Sequence, residues 1–282
     1  MYALNFLIFI MVLCYSFVSM AHDQSYYRLS KIKNPIKGES RSVGSYANGC
    51  LIGGKKLPIN GDGFQLMRLS RKRYYVHDNL YNFIINFAKD IKQTHPFQGI
   101  VVGDAGQAVG GPMQSGHASH QVGLDIDIWL RPLFDHTLST HERETISATS
   151  HVTRRQKIRD SWKKDHTNFV LKAARYSNVA RIFVNPAIKH AICQHSNWKK
   201  DLIALSKIRP WYGHDSHMHV RLKCPKSSYD CIDQAPPVMQ HGCKGHDINW
   251  WFSKEALKPT KKKKSVSKTF ADLPTQCQKL SM

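Results

Sequence analysis

Two segments of this chain alternate ionisable and apolar side chains, and that alternation constrains the fold more than any other feature. In His217-Met218-His219-Val220-Arg221-Leu222 the imidazoles and the guanidinium take every second place, with Met, Val and Leu between them. Side chains of a strand point alternately to its two faces, so a strand here puts His217, His219 and Arg221 on one side and the apolar chains in a core. Leu124-Asp125-Ile126-Asp127-Ile128 repeats the device with two carboxylates, and His120 reaches the same neighbourhood from the preceding loop, His117-Ala118-Ser119-His120. A face of Asp and His on two core strands is costly to bury unless something pairs with it, and a divalent metal does so. Three imidazole and carboxylate ligands with a fourth position left to water form the donor set of a catalytic rather than a structural zinc. Sixteen histidines produce some His-x-His pairs by chance; the repetition of the same alternation in a second segment is what raises this one above the background.

The rest of the chain reads as an α+β domain. Leu80, Phe83, Ile84, Phe87 and Ile91 recur at helical spacing between His77 and Lys92 behind a cap expected at Asp78, and a buried strand follows between Gly99 and Gly103. Helix precedes strand again at Trp162 to Tyr176 and Val179 to Val184. A short helix is expected from Pro186 to Cys193 and another near Trp198 to Ser206. There is no internal repeat and no obvious linker, so one domain of ~260 residues is expected after the leader.

Both ends point to export. Ala3 to Met20 is largely apolar and runs into Ser19-Met20-Ala21, a small-x-Ala site before His22, so residues 1–21 read as a signal peptide. An uncleaved anchor is the other reading of the same residues, since no Lys or Arg precedes Arg28. Loss of Cys14 with the leader takes seven cysteines to six, an even number that suits disulfides in an oxidising compartment, with fifteen pairings open. No Cys-x-x-Cys occurs, which argues against a zinc ribbon or thioredoxin-like chemistry. The last segment, 258–282, begins with the Lys-rich run to Lys268 and reads as a solvated strap whose reach is limited by Cys277. A net charge of +21 favours polyanionic partners, and peptidoglycan carboxylates satisfy it as well as nucleic acid does. No nucleic-acid motif accompanies the basic runs, and none is expected as partner.

The pattern His120-x6-Asp127 with His217-x-His219 far downstream resembles the lysostaphin, D-Ala-D-Ala metallopeptidase and hedgehog superfamily. Within it, SGHASHQVGLDIDIW and RPWYGHDSHMHVRLKCP are similar to the penicillin-insensitive murein endopeptidases, and the similarity runs from about Gly44 to Cys277. The resemblance implies an antiparallel-sheet metallopeptidase core over residues 22–257, zinc held by His120, Asp127 and His219, and a periplasmic enzyme cutting D-alanyl-meso-diaminopimelyl cross-links. It also implies pairing of Cys50 with Cys277, Cys193 with Cys243 and Cys224 with Cys231. His217 then acts as general base and His214 stabilises the oxyanion, with their order open.

Some residues keep two readings. Asp125 fits either an acceptor that orients a ligand imidazole or a solvent-facing strand residue. His117 sits where related endopeptidases place a further metal ligand together with an Asp-x-x-His pair, yet no Asp-x-x-His occurs in this chain, which leaves it as a vestige, a substrate contact or a transient ligand. Val101 to Gly111, with Asp104 amid glycines, is expected to line the groove. Trp211 and Tyr212 either join it or belong to the core. Ser-x-x-Lys occurs at Ser30, Ser161, Ser196 and Ser265 without companion Ser-Asp-Asn or Lys-Thr-Gly, and Gly-x-Ser-x-Gly is missing, so a β-lactam finds no serine to acylate. Two rival functions stand beside the peptidase: a noncatalytic wall-binding module that kept the metal fold, and a secreted basic phosphodiesterase, which would more naturally recruit extra carboxylates or a second metal.

Overall fold

The computed structural model describes residues 24–258 and 268–281. The leader, its cleavage site and most of the Lys-rich run therefore lie outside the described residues. The strands in chain order are β1 (Arg41–Ser45), β2 (Asn48–Ile52), β3 (Lys55–Lys56), β4 (Asn60–Gly61), β5 (Phe64–Leu66), β6 (Tyr75–Val76), β7 (Ile100–Val102), β8 (Asp125–Trp129), β9 (Val179–Val184), β10 (Ile208–Pro210), β11 (His217–Leu222) and β12 (Cys231–Ile232). The helices are α1 (Asp78–Thr94), α2 (Thr140–Thr145), α3 (Lys164–Arg175), α4 (Pro186–His195), α5 (Leu202–Lys207), α6 (His246–Asn249), α7 (Lys254–Leu257) and α8 (Thr275–Gln278). No helix among the described residues is long and apolar enough to cross a membrane.

The principal sheet has the order β10-β9-β11-β8-β7-β5-β4. Its centre, β9-β11-β8-β7, is antiparallel as expected, but β10 runs parallel to β9 and β5 parallel to β7. The sheet is thus mixed rather than antiparallel throughout. The connections explain it: α4 and α5 lie between β9 and β10, and α1 lies between β5 and β7, and a parallel neighbour requires such a crossover.

The apolar face of this sheet carries the main core. Ile126, Ile128, Met218 and Val220 are wholly buried there, against Leu80, Phe83, Ile84 and Phe87 of α1 and Phe169 and Val170 of α3. Burial of side chains of this size stabilises by roughly 1.5–3 kcal/mol each, which fixes the strand register. The helix ends differ from expectation by small amounts with identifiable causes. His77, not Asp78, caps α1: burial holds its imidazole below its usual pKa, so the neutral ring accepts from Asn79 N through Nδ1 at 3.0 Å. Asp78 is one place further on, where its charge meets the positive end of the helix. Helix α3 begins at Lys164 rather than Trp162, whose buried indole donates to Thr167 Oγ1 at 3.2 Å.

A smaller sheet, β12-β1-β2, lies beside the principal one. All three implied disulfides are formed: Cys50–Cys277, Cys193–Cys243 and Cys224–Cys231. The first ties α8 to β2, and with Leu29, Val43, Val109 and Leu273 it builds a second, separate apolar cluster.

Candidate metal and catalytic site

Strands β8 and β11 pair so that His219 faces Asp127 and Arg221 faces Asp125. Directly paired residues point to the same side of a sheet, so the two alternating patterns deliver their ionisable side chains to one face. His120 enters from a loop whose shape is set by two left-handed residues. His120 itself has φ 66°, and Gly123 has φ 70°, where a Cβ would lie 2.9 Å from His77 N. His214, in the loop before β11, is left-handed as well, with φ 39°. Such backbone in non-glycine residues is costly and concentrates at functional sites.

Asp125 settles into one of its two readings: it is wholly buried, not solvent-facing. Its Oδ1 accepts from His219 Nε2 at 2.8 Å and from Arg221 Nε at 2.7 Å, and its Oδ2 accepts from His120 N at 3.2 Å. Burial alone would raise its pKa, but Arg221 and His219 hold the carboxyl well below the usual range. An ionised carboxylate only accepts, so His219 carries its proton on Nε2 and turns a bare Nδ1 toward Asp127. That Nδ1 is 3.5 Å from Asp127 Oδ1. Burial pushes the His219 imidazole down to about 4, so the neutral ring is its form at neutral pH.

The other candidates gather around Asp127. His120 Nε2 is 3.5 Å from the same Oδ1, whereas His117 Nε2 and His217 Nε2 face Oδ2 at 3.5 and 3.8 Å. Burial disfavours the Asp127 charge, yet His217 and His120 outweigh it and keep the carboxyl well below its ordinary value. Both ring nitrogens of His120 and Asp127 Oδ1 are buried without a hydrogen-bond partner. Orphaned groups of this kind are rare in a folded interior, and two of them, a nitrogen and a carboxylate oxygen, face each other beside His219 Nδ1. The donor set is of the hard-to-borderline N and O type that divalent zinc takes, so the residues fit such an ion. His117, His120 and Asp127 also bring ligand atoms within 4.8 Å of one another.

His117 is engaged in another direction. Its Nε2 meets Asp104 Oδ2 at 3.0 Å, and that oxygen also accepts from Arg71 Nη1 and Arg73 Nη1, each at 2.9 Å. Asp104 is 4 % exposed, covered by these side chains rather than lining an open groove as expected. Burial opposes its charge, and His117, Arg71 and Arg73 bring its pKa down to about 2. Three histidines downstream of His117 are engaged elsewhere: His136 bonds Asp135 and Glu142 at the surface, and His151 and His166 pack with Trp162.

At the outer edge, the His217 side chain is 25 % exposed and its ring centre is 5.2 Å from that of His214. Burial and neighbouring His217 lower the His214 pKa. Its Nδ1 is 3.2 Å from Tyr212 O, a carbonyl that only accepts, so the neutral ring donates there and presents Nε2 as an acceptor. Trp211 is 57 % exposed, which removes its reading as core; Tyr212 is half-buried and its hydroxyl donates to Trp251 O. Phe183 was not foreseen; its ring packs edge-on against His219, and the Arg221 guanidinium lies 5.2 Å from its centre. Arg221 was visible on the His219 face of the alternation, although its pairing with Asp125 was not.

The sequence matches the family described as penicillin-insensitive murein endopeptidase over residues 42–281. It is 40% identical over 252 residues to the penicillin-insensitive murein endopeptidase of Salmonella paratyphi B, covering 89% of each chain. It is 38% identical over 256 residues to the protein of the same name from Pectobacterium atrosepticum, covering 89% of this chain and 87% of the relative. The match to a family over most of the chain, together with relatives of this identity at nearly full length, means that the chain belongs to the penicillin-insensitive murein endopeptidase family.

Proposed function

We propose that this protein is a zinc-dependent endopeptidase that hydrolyses the D-alanyl-meso-diaminopimelyl cross-links of peptidoglycan in the periplasm, insensitive to β-lactams. The observation that carries the metal dependence is the trio of unpartnered buried atoms, His120 Nδ1 and Nε2 and Asp127 Oδ1, beside a His219 whose protonated nitrogen is already taken by Asp125. His120, Asp127 and His219 would hold the ion. When bound, zinc supplies a Lewis acid for the scissile carbonyl and lowers the pKa of its water to about 7.

The chain's own residues supply the rest. Asp125 and Arg221 hold His219 in one tautomer and one orientation, so the site is shaped before substrate arrives. His217, 3.8 Å from Asp127, takes the proton of the attacking water and hands it to the departing amine. His214, its ring centre 5.2 Å from that of His217 and its Nδ1 taken by Tyr212 O, has Nε2 left to accept a hydrogen bond as a neutral ring and would steady an oxyanion only as the protonated one. His117, held by Asp104, borders the site as a positioning residue or a further ligand. The family match over residues 42–281 favours the peptidase over a phosphodiesterase.

The test is digestion of purified cross-linked muropeptide dimers, with products identified by mass spectrometry. Release of monomers, abolished by a chelator, restored by zinc and indifferent to a β-lactam, is the expected result. A metal-replete protein that leaves the dimers intact would favour the wall-binding module instead.

A further inference from the structure

The short 3-10 turn Leu69–Arg71 lies between β5 and β6, flanked by Arg68 and Lys72 at φ 56° and 53°. Neither residue is a glycine, so the turn adopts at both ends a backbone that side chains disfavour. It is held in place from α2 and just beyond: Ser70 donates through N and Oγ to Glu144 at 2.9 and 2.8 Å, and Arg68 Nη2 donates to Ile146 O at 2.9 Å. The result is a fixed presentation of Arg71, Lys72 and Arg73.

These cations are not fully matched. Arg71 and Arg73 converge on a single carboxylate, Asp104, while the nearby Glu144 is spent on Ser70 N and Oγ. Arg73 is mostly covered and also donates to Ser115 O and Oγ, whereas the Arg71 side chain is 48% exposed and bonds Asp104 alone among the described residues. Arg71 opens onto a pocket of about 190 Å³, lined also by Lys33, Ser70, Lys72, Tyr75 and Gln107. No acidic residue lines it. The volume suits an end group rather than a whole ligand. The pocket is joined to the catalytic site by contacts already described: Arg71 to Asp104, Asp104 to His117, His117 to Asp127.

We propose that this pocket is an anion subsite of the endopeptidase, in which Arg71, assisted by Lys33 and Lys72, binds a free carboxylate of the cross-linked peptide. The inference rests on the endopeptidase reading given above. A cross-linked dimer carries free carboxylates both on the carbon that bears the departing amine and at the end of its acceptor stem, and the latter has the reach for a pocket whose lining shares no residue with the catalytic group. A guanidinium suits the task because its planar fork meets a carboxylate through two parallel N–H bonds, and Asp104 keeps that fork oriented from behind. Arg71 is thus a specificity residue.

The experiment compares two muropeptide dimers that differ only at this acceptor-stem carboxylate, free in one and amidated in the other, with the zinc-loaded enzyme and its Arg71→Gln and Lys33→Gln variants. The wild-type protein is expected to prefer the free acid by about tenfold in kcat/KM, through KM, the size of one charge-assisted hydrogen bond. Arg71→Gln should lose that preference, so that its ratio of kcat/KM between the two dimers falls to about one whatever its absolute rate. Lys33→Gln, on the exposed rim, should reduce the preference by less and keeps the test open should Arg71→Gln fold poorly. Equal wild-type rates on the two dimers overturn the proposal. An Arg71→Gln variant slowed equally on both, with its preference intact, does the same, because it reduces Arg71 to a prop for Asp104. A zinc-loaded wild type inactive on both dimers fails the endopeptidase reading itself, and the subsite with it.

Discussion

The two oxygens of Asp127 sort the four nearest histidines: Oδ1 faces His120 and His219, and Oδ2 faces His117 and His217. The division separates residues that would bind a metal from one that is left to move a proton. His217→Ala should therefore keep its zinc and lose roughly a hundred- to ten-thousand-fold in kcat, whereas His120→Ala and Asp127→Ala should lose metal and activity together. Elemental analysis and turnover on the same preparations check this, and near-normal turnover by His217→Ala would hand the proton transfer to His214. Asp125 lends itself to a second prediction. Asp125→Asn leaves Arg221 without its counter-charge and frees the His219 tautomer, so zinc affinity should fall about 10–100-fold, read by competition with a chelator. Unchanged affinity would mean that the orientation of His219 is set elsewhere. The period-two alternation made the shared face of these residues legible in the sequence. It left Asp125 ambiguous, because alternation tells which side a residue takes and not whether something covers that side; here His219 and Arg221 cover it.

At the scale of elements, the strands and helices that make the core were readable because each has one apolar stripe. Val179–Val184 appears with the expected limits, and α1 buries the residues its spacing singles out. The parallel partners β10 and β5 were not readable, since three-residue strands have too little pattern to reveal direction. Helix α3 carries a consequence for pH. His166 in its first turn accepts from Lys163 N through Nδ1 at 3.0 Å, and packs on Trp162 and Phe97. Burial, reinforced by neighbouring His151, brings its pKa down to about 4. The unfolded chain takes up the proton near 6.5, earlier than the folded one, so the contribution is full above pH 6.5 and is lost as pH falls toward 4. We expect the melting temperature of the metal-free protein to fall across that window, and a His166→Gln variant, lower at pH 7, to fall less steeply. Burial lowers the pKa of other histidines as well, the buried His77 and the half-buried His95 among them, so the informative quantity is the difference between the two slopes. Each 1 kcal/mol lost corresponds to roughly 2–4 °C for a protein of this size. Parallel slopes would show that His166 titrates alike in both states.

Over the whole molecule, the catalytic strands and the chain ends depend on different cores. Strands β8 and β11 contribute Ile126, Ile128, Met218 and Val220 to the main cluster, while Leu29, Val43, Cys50, Leu273 and Cys277 form the second one. The Cys50–Cys277 bridge spans 227 positions and is the covalent part of that second cluster. It fastens α8 beside β2, and the segment Gln24–Lys31 packs there through Leu29. Tyr75 Oη donates to Lys33 O at 3.3 Å and continues the attachment to the wall of the Arg71 pocket. Replacing both cysteines by serine should lower stability by about 2–5 kcal/mol, since a closed loop of this length strongly restricts the unfolded chain. The loss should not be uniform. Hydrogen exchange is expected to quicken first in residues 24–33 and 268–281, with β8 and β11 still protected, because local opening follows the least-supported cluster. Zinc content and kcat should then survive at low temperature, while KM for a free-carboxylate cross-link rises as the Lys33 side of the pocket loosens. Simultaneous loss of metal and protection in β8 and β11 would show instead that the two clusters open as one unit.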